Sequence, residues 1–342
     1  YKAVYPSSLA NRNLKWETTT GRNIGLDFGV LNNRITGTVD AYWNKTTDLL
    51  MDRAMPEISG YGSIASNLGQ IDNKGVEVTV TTTNINVPGK VHWTTSFIYS
   101  TNKNEIKHLY GNMIDVLDAD GNVVGQREDD DVQNGWYIGH GIDDIYDYKF
   151  VGIWQMGEEL EADKYGKQPG DPKLEDVNND GVINEDDKQW LGSKIPTHRL
   201  NISSSLDLWN CVNFSFTLRG EFGWKAVDNL ARNEDNRYFN QANSVWTEYW
   251  TPWNPSAGYA RLGSDCNNPT VNIYKNRSYM KMQNMSLSYT FPKHLIQKLQ
   301  IENLRVSLNV DNAFTISGWR TSDPMVNAIS PRIFTFGVNM TL

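Results

Sequence analysis

Apolar and polar residues alternate one by one along most of this chain. In the segment NIGLDFGV, Ile24, Leu26 and Phe28 occupy one set of alternate positions, and Asn23 and Asp27 occupy the other. Successive side chains of a β-strand point to opposite faces of its sheet, so a period of two predicts strands with one apolar and one polar face. The alternation therefore predicts an all-β fold.

The same pattern predicts nine strands. They lie near residues 16–30, 34–49, 71–84, 91–104, 198–208, 212–223, 279–291, 303–314 and 332–342. The phase of the alternation slips near Gln283 and Asn284, which predicts a β-bulge. A further short strand is expected in the segment GIWQ at 152–155. Short connections at 31–34, 84–90, 209–213 and 292–303 alternate with long ones at 51–69, 105–197, 224–277 and 315–330.

Strict alternation fits two architectures, a soluble sandwich with one wet face and a membrane barrel with a polar lumen. Charged residues in the middle of the polar faces favour the barrel, as do aromatic residues such as Trp43 and Trp93 near strand ends. Short turns at one end and long loops at the other are also typical of an outer-membrane barrel. The sequence contains no run of about 18 apolar residues, so it predicts no transmembrane helix.

The segment DVNNDGVINEDD has the spacing of a twelve-residue calcium loop. Calcium prefers six to eight oxygen ligands, and the pattern places a glycine, here Gly181, at its sharp bend. We expect calcium to stabilise a long extracellular loop that has little core of its own. The alternative is a surface turn that binds nothing. The predicted ligands are Asp176, Asn178, Asp180, the Val182 carbonyl, Asn184 and Asp187.

Composition excludes other classes of function. The net charge of −8 argues against nucleic acid as a partner. The five His residues show no metal or triad spacing, and no nucleophile lies in a catalytic pattern, so we expect no enzyme. Two Cys residues cannot form a disulfide framework. Cys211 and Cys266 are predicted to lie at opposite ends of the barrel, unbonded.

Several segments resemble SusC/RagA-type TonB-dependent outer-membrane transporters. They include NLGQIDNKGVEVTV, DVNNDGVINEDDKQWLGSKIP, YMKMQNMSLSYTFP and LRVSLNVDNAFT, and they follow the order of the family. The resemblance implies that residues 1–342 are the C-terminal part of an antiparallel transmembrane β-barrel of roughly 22 strands. Residues 105–197 would form an extracellular loop region that contains the calcium loop at 176–187.

The resemblance also implies a function and partners. The barrel would import glycan or peptide fragments across the outer membrane of a Gram-negative bacterium, with its C-terminus in the periplasm. Its partners would be a SusD-like surface lipoprotein, the TonB complex acting through a plug domain that this sequence lacks, and outer-membrane lipid. Because open sheet edges are costly in hydrocarbon, we expect this sequence to be part of a longer chain.

Aromatic residues in the predicted loops are candidates for stacking on a substrate, with scaffold roles as the alternative. The candidates are Trp136, Tyr137, Trp154, Trp246, Trp250 and Trp319. A rival hypothesis is a secreted, calcium-stabilised β-sandwich that binds carbohydrate. That fold would bury the apolar faces in one core, whereas a barrel would expose them to lipid.

Overall fold

The structure, a computed structural model, describes residues 10–55, 57–118, 120–228, 249–267, 269–320 and 322–342. In chain order the strands are β1 (Thr18–Val30), β2 (Ile35–Ala54), β3 (Ser63–Val87), β4 (Val91–His108), β5 (Met113–Leu117), β6 (Val123–Glu128), β7 (Asp144–Tyr148), β8 (Phe150–Ile153), β9 (Pro172–Leu174), β10 (Lys188–Ser193), β11 (His198–Leu208), β12 (Val212–Phe222), β13 (Lys225–Val227), β14 (Tyr274–Asn276), β15 (Tyr279–Thr290), β16 (Asn303–Ser317) and β17 (Ile333–Thr341). The described residues also form two short helices, α1 (Glu159–Lys164) and α2 (Lys293–Ile296), and separate 3-10 turns at Glu57–Ser59, Glu185–Asp187 and Gln297–Leu299. None of the described helices is long and apolar enough to cross a membrane.

Nine strands form one sheet in the order β1-β2-β3-β4-β11-β12-β15-β16-β17. All neighbours in this main sheet are antiparallel. They correspond one to one to the nine predicted strands, so that prediction is confirmed. β1 and β17 lie at the two edges and are not paired with each other, so the described sheet is an open arc rather than a closed barrel.

One face of the main sheet is apolar and open to the surroundings. Leu26, Val39 and Val78 are successive cross-strand neighbours on β1, β2 and β3. Ile24 is 70% exposed and Phe336 is 70% exposed, at opposite sides of the arc. A β-sandwich would bury such a face against a second sheet. No second sheet among the described residues covers it, and the soluble sandwich hypothesis is therefore wrong.

The two ends of the sheet differ in their connections. The four predicted short connections are confirmed at one end, which we call the short-turn end. Asn32 and Asn33 take left-handed φ values of 54° and 60° in the β1–β2 turn, a conformation that asparagine tolerates well. The opposite end, the long-loop end, carries the connections from β4 to β11, from β12 to β15 and from β16 to β17.

Two predicted boundaries are wrong. The predicted loop at 51–69 is mostly strand, because β2 and β3 remain paired from Leu49 opposite Leu68 to Ala54 opposite Ser63. Leu49 at the start of this stretch packs against the buried cluster of Ile71, Ile106 and Leu109. The predicted GIWQ strand ends early, because β8 stops at Ile153.

The predicted bulge is confirmed. The pairing of β15 with β16 shifts between Met282 and Asn284, where Gln283 alone lies opposite two residues of β16, Asn312 and Ala313. The pairing with β12 shifts at the same place, because the adjacent residues Thr217 and Leu218 face Asn284 and Met282 and leave Gln283 as the extra residue of β15. The bulge therefore restores the alternation on both sides of Gln283 and keeps the apolar residues of β15 on one face.

Residues 109–197 and 249–278 pack on each other at the long-loop end, and we call them the loop layer. Four two-stranded sheets lie here or beside it, formed by β5 with β6, β7 with β10, β8 with β9 and β13 with β14. Val271 and Ile273 are buried and pack against Phe150 and Leu174 from the other connection. The core of this long loop is therefore shared between two connections.

Candidate functional site

The polar face of the main sheet carries a row of charged side chains. Asp40 on β2 is the cross-strand neighbour of Glu77 on β3. Arg199 on β11 is the neighbour of Glu221 on β12, and Ser100 on β4 connects the two pairs. Ionised groups are costly in hydrocarbon but stable against water. This face is therefore suited to line a water-filled lumen.

An open cavity of about 620 Å³ lies over the polar face of β1 to β4. The side-chain amide of Asn23 donates to Asp40 at 3.0 Å, and the Tyr42 hydroxyl donates to Asn102 at 3.0 Å. The remaining lining residues are Asn44, Asn73 and Glu77. Amides and carboxylates dominate this lining, so the cavity can form hydrogen bonds with a polar solute.

The connection at 318–332, which we call the final loop, folds back onto the sheet. The buried Lys281 ammonium donates to Asp323 at 2.5 Å and to the Ser330 hydroxyl at 3.3 Å. The Arg277 guanidinium donates to a backbone carbonyl of the loop at 2.9 Å. Burial alone would raise the pKa of Asp323, but the hydrogen bonds from Lys281, the Met325 N–H and Ser330, with the positive charge of Lys281, together lower that pKa. Asp323 therefore stays ionised and holds the loop in place.

Ion pairs join the two connections of the loop layer. The Arg261 guanidinium donates to Asp171, whose side chain is 2% exposed, at 2.9 Å. Lys167 donates to Asp265 at 2.6 Å. Burial would raise the pKa of Asp265, but the hydrogen bonds from Lys167 and the Asn267 N–H, with the charges of Lys167 and Arg261, together lower it. Residues about 90 positions apart in the chain therefore hold each other in one layer.

Asp147 on β7 makes a second junction. Its carboxylate accepts hydrogen bonds from the Asn272 amide at 2.9 Å and from the Tyr274 hydroxyl at 3.0 Å. Burial, with the negative charge of Asp147, raises the pKa of Tyr274 well above its usual value, so this tyrosine remains a donor. The Trp250 indole also donates across the layer, to Gln155 at 2.9 Å.

The predicted calcium loop folds as a compact turn whose carboxylates accept from its own backbone. Asp187 is fully buried and accepts from the backbone N–H groups of Val177 at 2.8 Å and Asn184 at 2.9 Å. Asn184 in turn caps the 3-10 turn Glu185–Asp187 through its side chain. Asn178, Asp180 and Val182 are the solvent-exposed members of the predicted ligand set.

Asp176, the first predicted ligand, has one oxygen without a partner. Its Oδ2 atom accepts from the Gly181 N–H at 2.9 Å and from the Tyr165 hydroxyl at 3.0 Å. Its Oδ1 atom is buried without a hydrogen bond. Burial would raise the pKa of Asp176, but these hydrogen bonds lower it. Within the described ranges no group of three or more His, Cys, Asp or Glu is placed to hold a metal. Calcium stays a prediction, and the orphan Oδ1 is the feature that fits it.

Three of the predicted substrate-stacking residues lie in cores. Trp154 and Trp250 are each 5% exposed, and Trp319 is 7% exposed. Trp136 is partly buried against the cluster of Ile71, Ile106 and Leu109. These positions are those expected of scaffold residues, and Trp246 lies outside the described residues. The predicted substrate contacts remain predictions.

Tyr137 belongs to an aromatic group that the sequence analysis missed. The group comprises Tyr137, His140, Tyr146 and Trp190. Its centre is Trp190, which is 40% exposed, stacks on His140 and packs 4.8 Å from Tyr146 and 5.2 Å from Tyr137 between ring centroids. Trp190 on β10 and Tyr146 on β7 are cross-strand neighbours. The alternation within DIYDY and KQWLGS could have predicted these two short strands, whose pairing brings Tyr146 beside Trp190.

The prediction that the two cysteines are unbonded is confirmed. Both are free thiols. Cys211 lies in the turn between β11 and β12 at the short-turn end, and Cys266 is fully buried in the loop layer.

Comparisons with known proteins agree with this architecture. The sequence profile described as TonB dependent receptor-like, beta-barrel matches residues 3–313. TonB-dependent receptor P26 of Formosa agariphila is 30% identical over 97% of this chain. TonB-dependent receptor SusC of Bacteroides thetaiotaomicron is 29% identical over 100% of it. The structure of the RagAB peptide transporter covers 98% of the chain with a TM-score of 0.72 and 22% identity, a likeness of fold alone.

The matched proteins are longer than this chain. The chain spans 35% of receptor P26, 33% of SusC and 36% of the RagAB chain. The open arc of nine strands is consistent with a share of about a third in a larger barrel.

Proposed function

This chain belongs to the TonB-dependent receptor-like β-barrel family, and we propose that it supplies part of the wall and loops of an importer in the outer membrane of a Gram-negative bacterium. The observation that carries the proposal is the main sheet, with an exposed apolar face and a charged opposite face. A membrane barrel requires apolar residues toward lipid and polar residues toward its lumen.

The long-loop end faces the cell exterior in this proposal, and the short-turn end faces the periplasm. Outer-membrane barrels place short turns in the periplasm and long loops outside. β17 runs toward the short-turn end, so the C-terminus would lie in the periplasm in this proposed orientation. The apolar stretch of β4 from Val91 to Thr101 rises about 3.3 Å per residue, which with strand tilt matches a membrane band of about 25 Å.

The proposed cargo is a glycan or peptide fragment too large for a porin. Similarity to the SusC receptor and to the RagAB peptide transporter supports this class of cargo. The cavity with Asp40, Glu77 and Asn102 offers hydrogen-bond groups that match hydroxyls and amides. The half-exposed ring of Trp190 offers an apolar surface within the loop layer.

The proposed partners follow from the same relatives. A SusD-like surface lipoprotein would cover the loop layer from outside, and the TonB complex would supply energy through a plug domain that belongs to the rest of the barrel. The loop layer supports a docking role because Asp171–Arg261 and Lys167–Asp265 hold it as one folded unit.

We also propose that calcium binds the loop at 176–187 as a structural ion. Asp176, with its buried and unpaired Oδ1 atom, would supply the first ligand. Asp180 and Asn178 already share the same turn, with the Asn178 amide 3.0 Å from Asp180. A carboxylate, an amide oxygen and a backbone carbonyl are the ligand types that calcium prefers.

Uptake by whole cells tests the function. A strain without this receptor, complemented with the wild-type gene, should take up labelled oligosaccharides or peptides, and a protonophore should abolish that uptake. The double variant Asp40→Asn with Glu77→Gln should lower uptake several-fold at equal surface abundance. Glu302→Gln, at the exposed short-turn end, serves as the control. The proposal would be contradicted if loss of the receptor left the uptake of all tested oligosaccharides and peptides unchanged.

A further inference from the structure

Basic side chains cluster on the outward face of the main sheet near the long-loop end. We call this set the basic patch, and it comprises Arg22, Lys45, Lys74, Lys103 and Lys107. Arg22, Lys74 and Lys103 lie in one cross-strand row of β1 to β4, with Trp43 between the first two. An open cavity of about 420 Å³ lies between these side chains.

The alternation places the patch on the lipid-facing side. Lys74 precedes Val76 by two residues on β3, so both side chains leave the same face. Arg22 precedes Ile24 by two residues on β1, and Lys103 follows Tyr99 by four on β4. The patch therefore begins one row beyond the apolar residues, at the level where a membrane has its headgroups.

Positive charge exceeds negative charge in this row and the next. Lys107 forms an ion pair with Glu105, and Asp72 accepts from the Gln70 amide at 2.7 Å. Lys74 and Lys103, like Arg22 and Lys45, make no ion pair within the part of the chain that the structure describes. These cations face outward, where a lumen solute cannot reach them.

We propose that the basic patch binds the phosphate-bearing headgroup of an outer-leaflet lipid, with the acyl chains lying along the apolar rows below. The inference rests on the proposed membrane placement. Arg22 can bind phosphate through two N–H groups, and the lysines add point charges. Trp43, 47% exposed, lies where an indole ring prefers the membrane interface. Charge and apolarity in adjacent rows match an anionic amphiphile.

Lipid binding to the purified outer-membrane protein tests this proposal. Native mass spectrometry would count bound lipid after titration with mixed micelles of lipid A or of its dephosphorylated form. Each cation near an anionic lipid surface strengthens binding roughly fivefold. The triple variant Arg22→Gln, Lys74→Gln and Lys103→Gln should therefore bind lipid A about 100-fold more weakly. The control variant Lys90→Gln, Lys293→Gln and Lys298→Gln removes equal charge from the short-turn end and should bind as the wild type does.

Three results would overturn the proposal. They are equal binding of phosphorylated and dephosphorylated lipid, equal weakening by the control variant, and complete displacement of lipid A by inorganic phosphate at a matched concentration. The last would identify a phosphate site without a lipid. Resistance of the folded band to heating in detergent shows that each variant is intact. The cargo uptake of the triple variant is measured in parallel, so a failure of the transport function is seen separately from a failure of lipid binding.

Discussion

At the residue scale, Lys281 and Asp323 attach the final loop to the sheet. Their side chains are 1% and 7% exposed. Removing one partner of a buried ion pair leaves the other charge uncompensated, which costs about 3–5 kcal/mol. We predict that Lys281→Met raises the hydrogen-exchange rate of the hydrogen-bonded amides of Asp323, Met325 and Asn327 by at least about 100-fold. Lys90→Met, at an exposed turn, should leave them protected. Unchanged protection in Lys281→Met would show that other contacts hold the loop.

The same pair predicts a dependence on pH. Because the folded state lowers the pKa of Asp323 below its ordinary value of 3.8, the pair stabilises the loop above that value. The contribution is lost as pH falls through the folded pKa. Exchange of the final loop should therefore be constant from pH 8 to 5, after correction for the intrinsic rate, and should rise below about pH 4. Opening that begins near pH 6 would point to a histidine instead.

Asp180 and Asp187 separate calcium binding from turn structure. Asp187 accepts two backbone N–H groups without any ion, so Asp187→Ala should destabilise the turn by about 1–3 kcal/mol with or without calcium. Asp180 is exposed and accepts only from the exposed Val182 N–H and Asn178 amide, so Asp180→Ala should cost stability mainly when calcium is present, by about 1–2 kcal/mol at calcium tenfold above Kd. Limited proteolysis between residues 160 and 195, with and without a chelator, measures both.

Chelation should not affect the barrel itself. Calcium binding that contributes about 1–2 kcal/mol can order a loop, but it does not hold a sheet of nine strands together. The heat resistance of the folded protein should therefore stay nearly unchanged in chelator. Unfolding of the whole molecule would place calcium in a core.

At the scale of elements, β1 provides a test of which face meets lipid. Spin labels at Ile24, Leu26, Phe28 and Val30 should be relaxed by oxygen dissolved in lipid. Labels at Asn23 and Asp27 should instead respond to aqueous reagents, because alternate residues leave opposite faces. Reversed accessibility would contradict the barrel.

The strands were predictable because each one has an apolar face and a polar face, so its residues alternate in sequence. Ile24 beside Asn23 contains that information locally, and the slip at Gln283 even locates the bulge. The loop layer was not predictable in this way. Asp171 has no neighbour in sequence that identifies Arg261, and the burial of Trp154 and Trp250 depends on contacts between distant segments. For the same reason the sequence indicates calcium ligands but not that Asp187 already accepts from its own turn.

At the scale of the whole molecule, the two cysteines report the topology. Cys211 lies at the short-turn end and is partly exposed, whereas Cys266 is buried in the loop layer. A thiol reagent too large to cross the outer membrane should label neither residue in intact cells. After osmotic permeabilisation it should label Cys211 alone, and Cys266 should react only after denaturation. Labelling of Cys211 in intact cells would invert the proposed orientation.

The shared core of the loop layer has a consequence for how cargo preference can change. Residues 109–197 and 249–278 complete each other through Asp171 with Arg261 and Asp147 with Asn272. Grafting one of these segments from a related receptor would leave the buried Asp171 and the half-buried Asp147 without these partners. Grafting both together would preserve every junction. The two segments are therefore expected to be exchanged as one cassette, in the laboratory and in evolution.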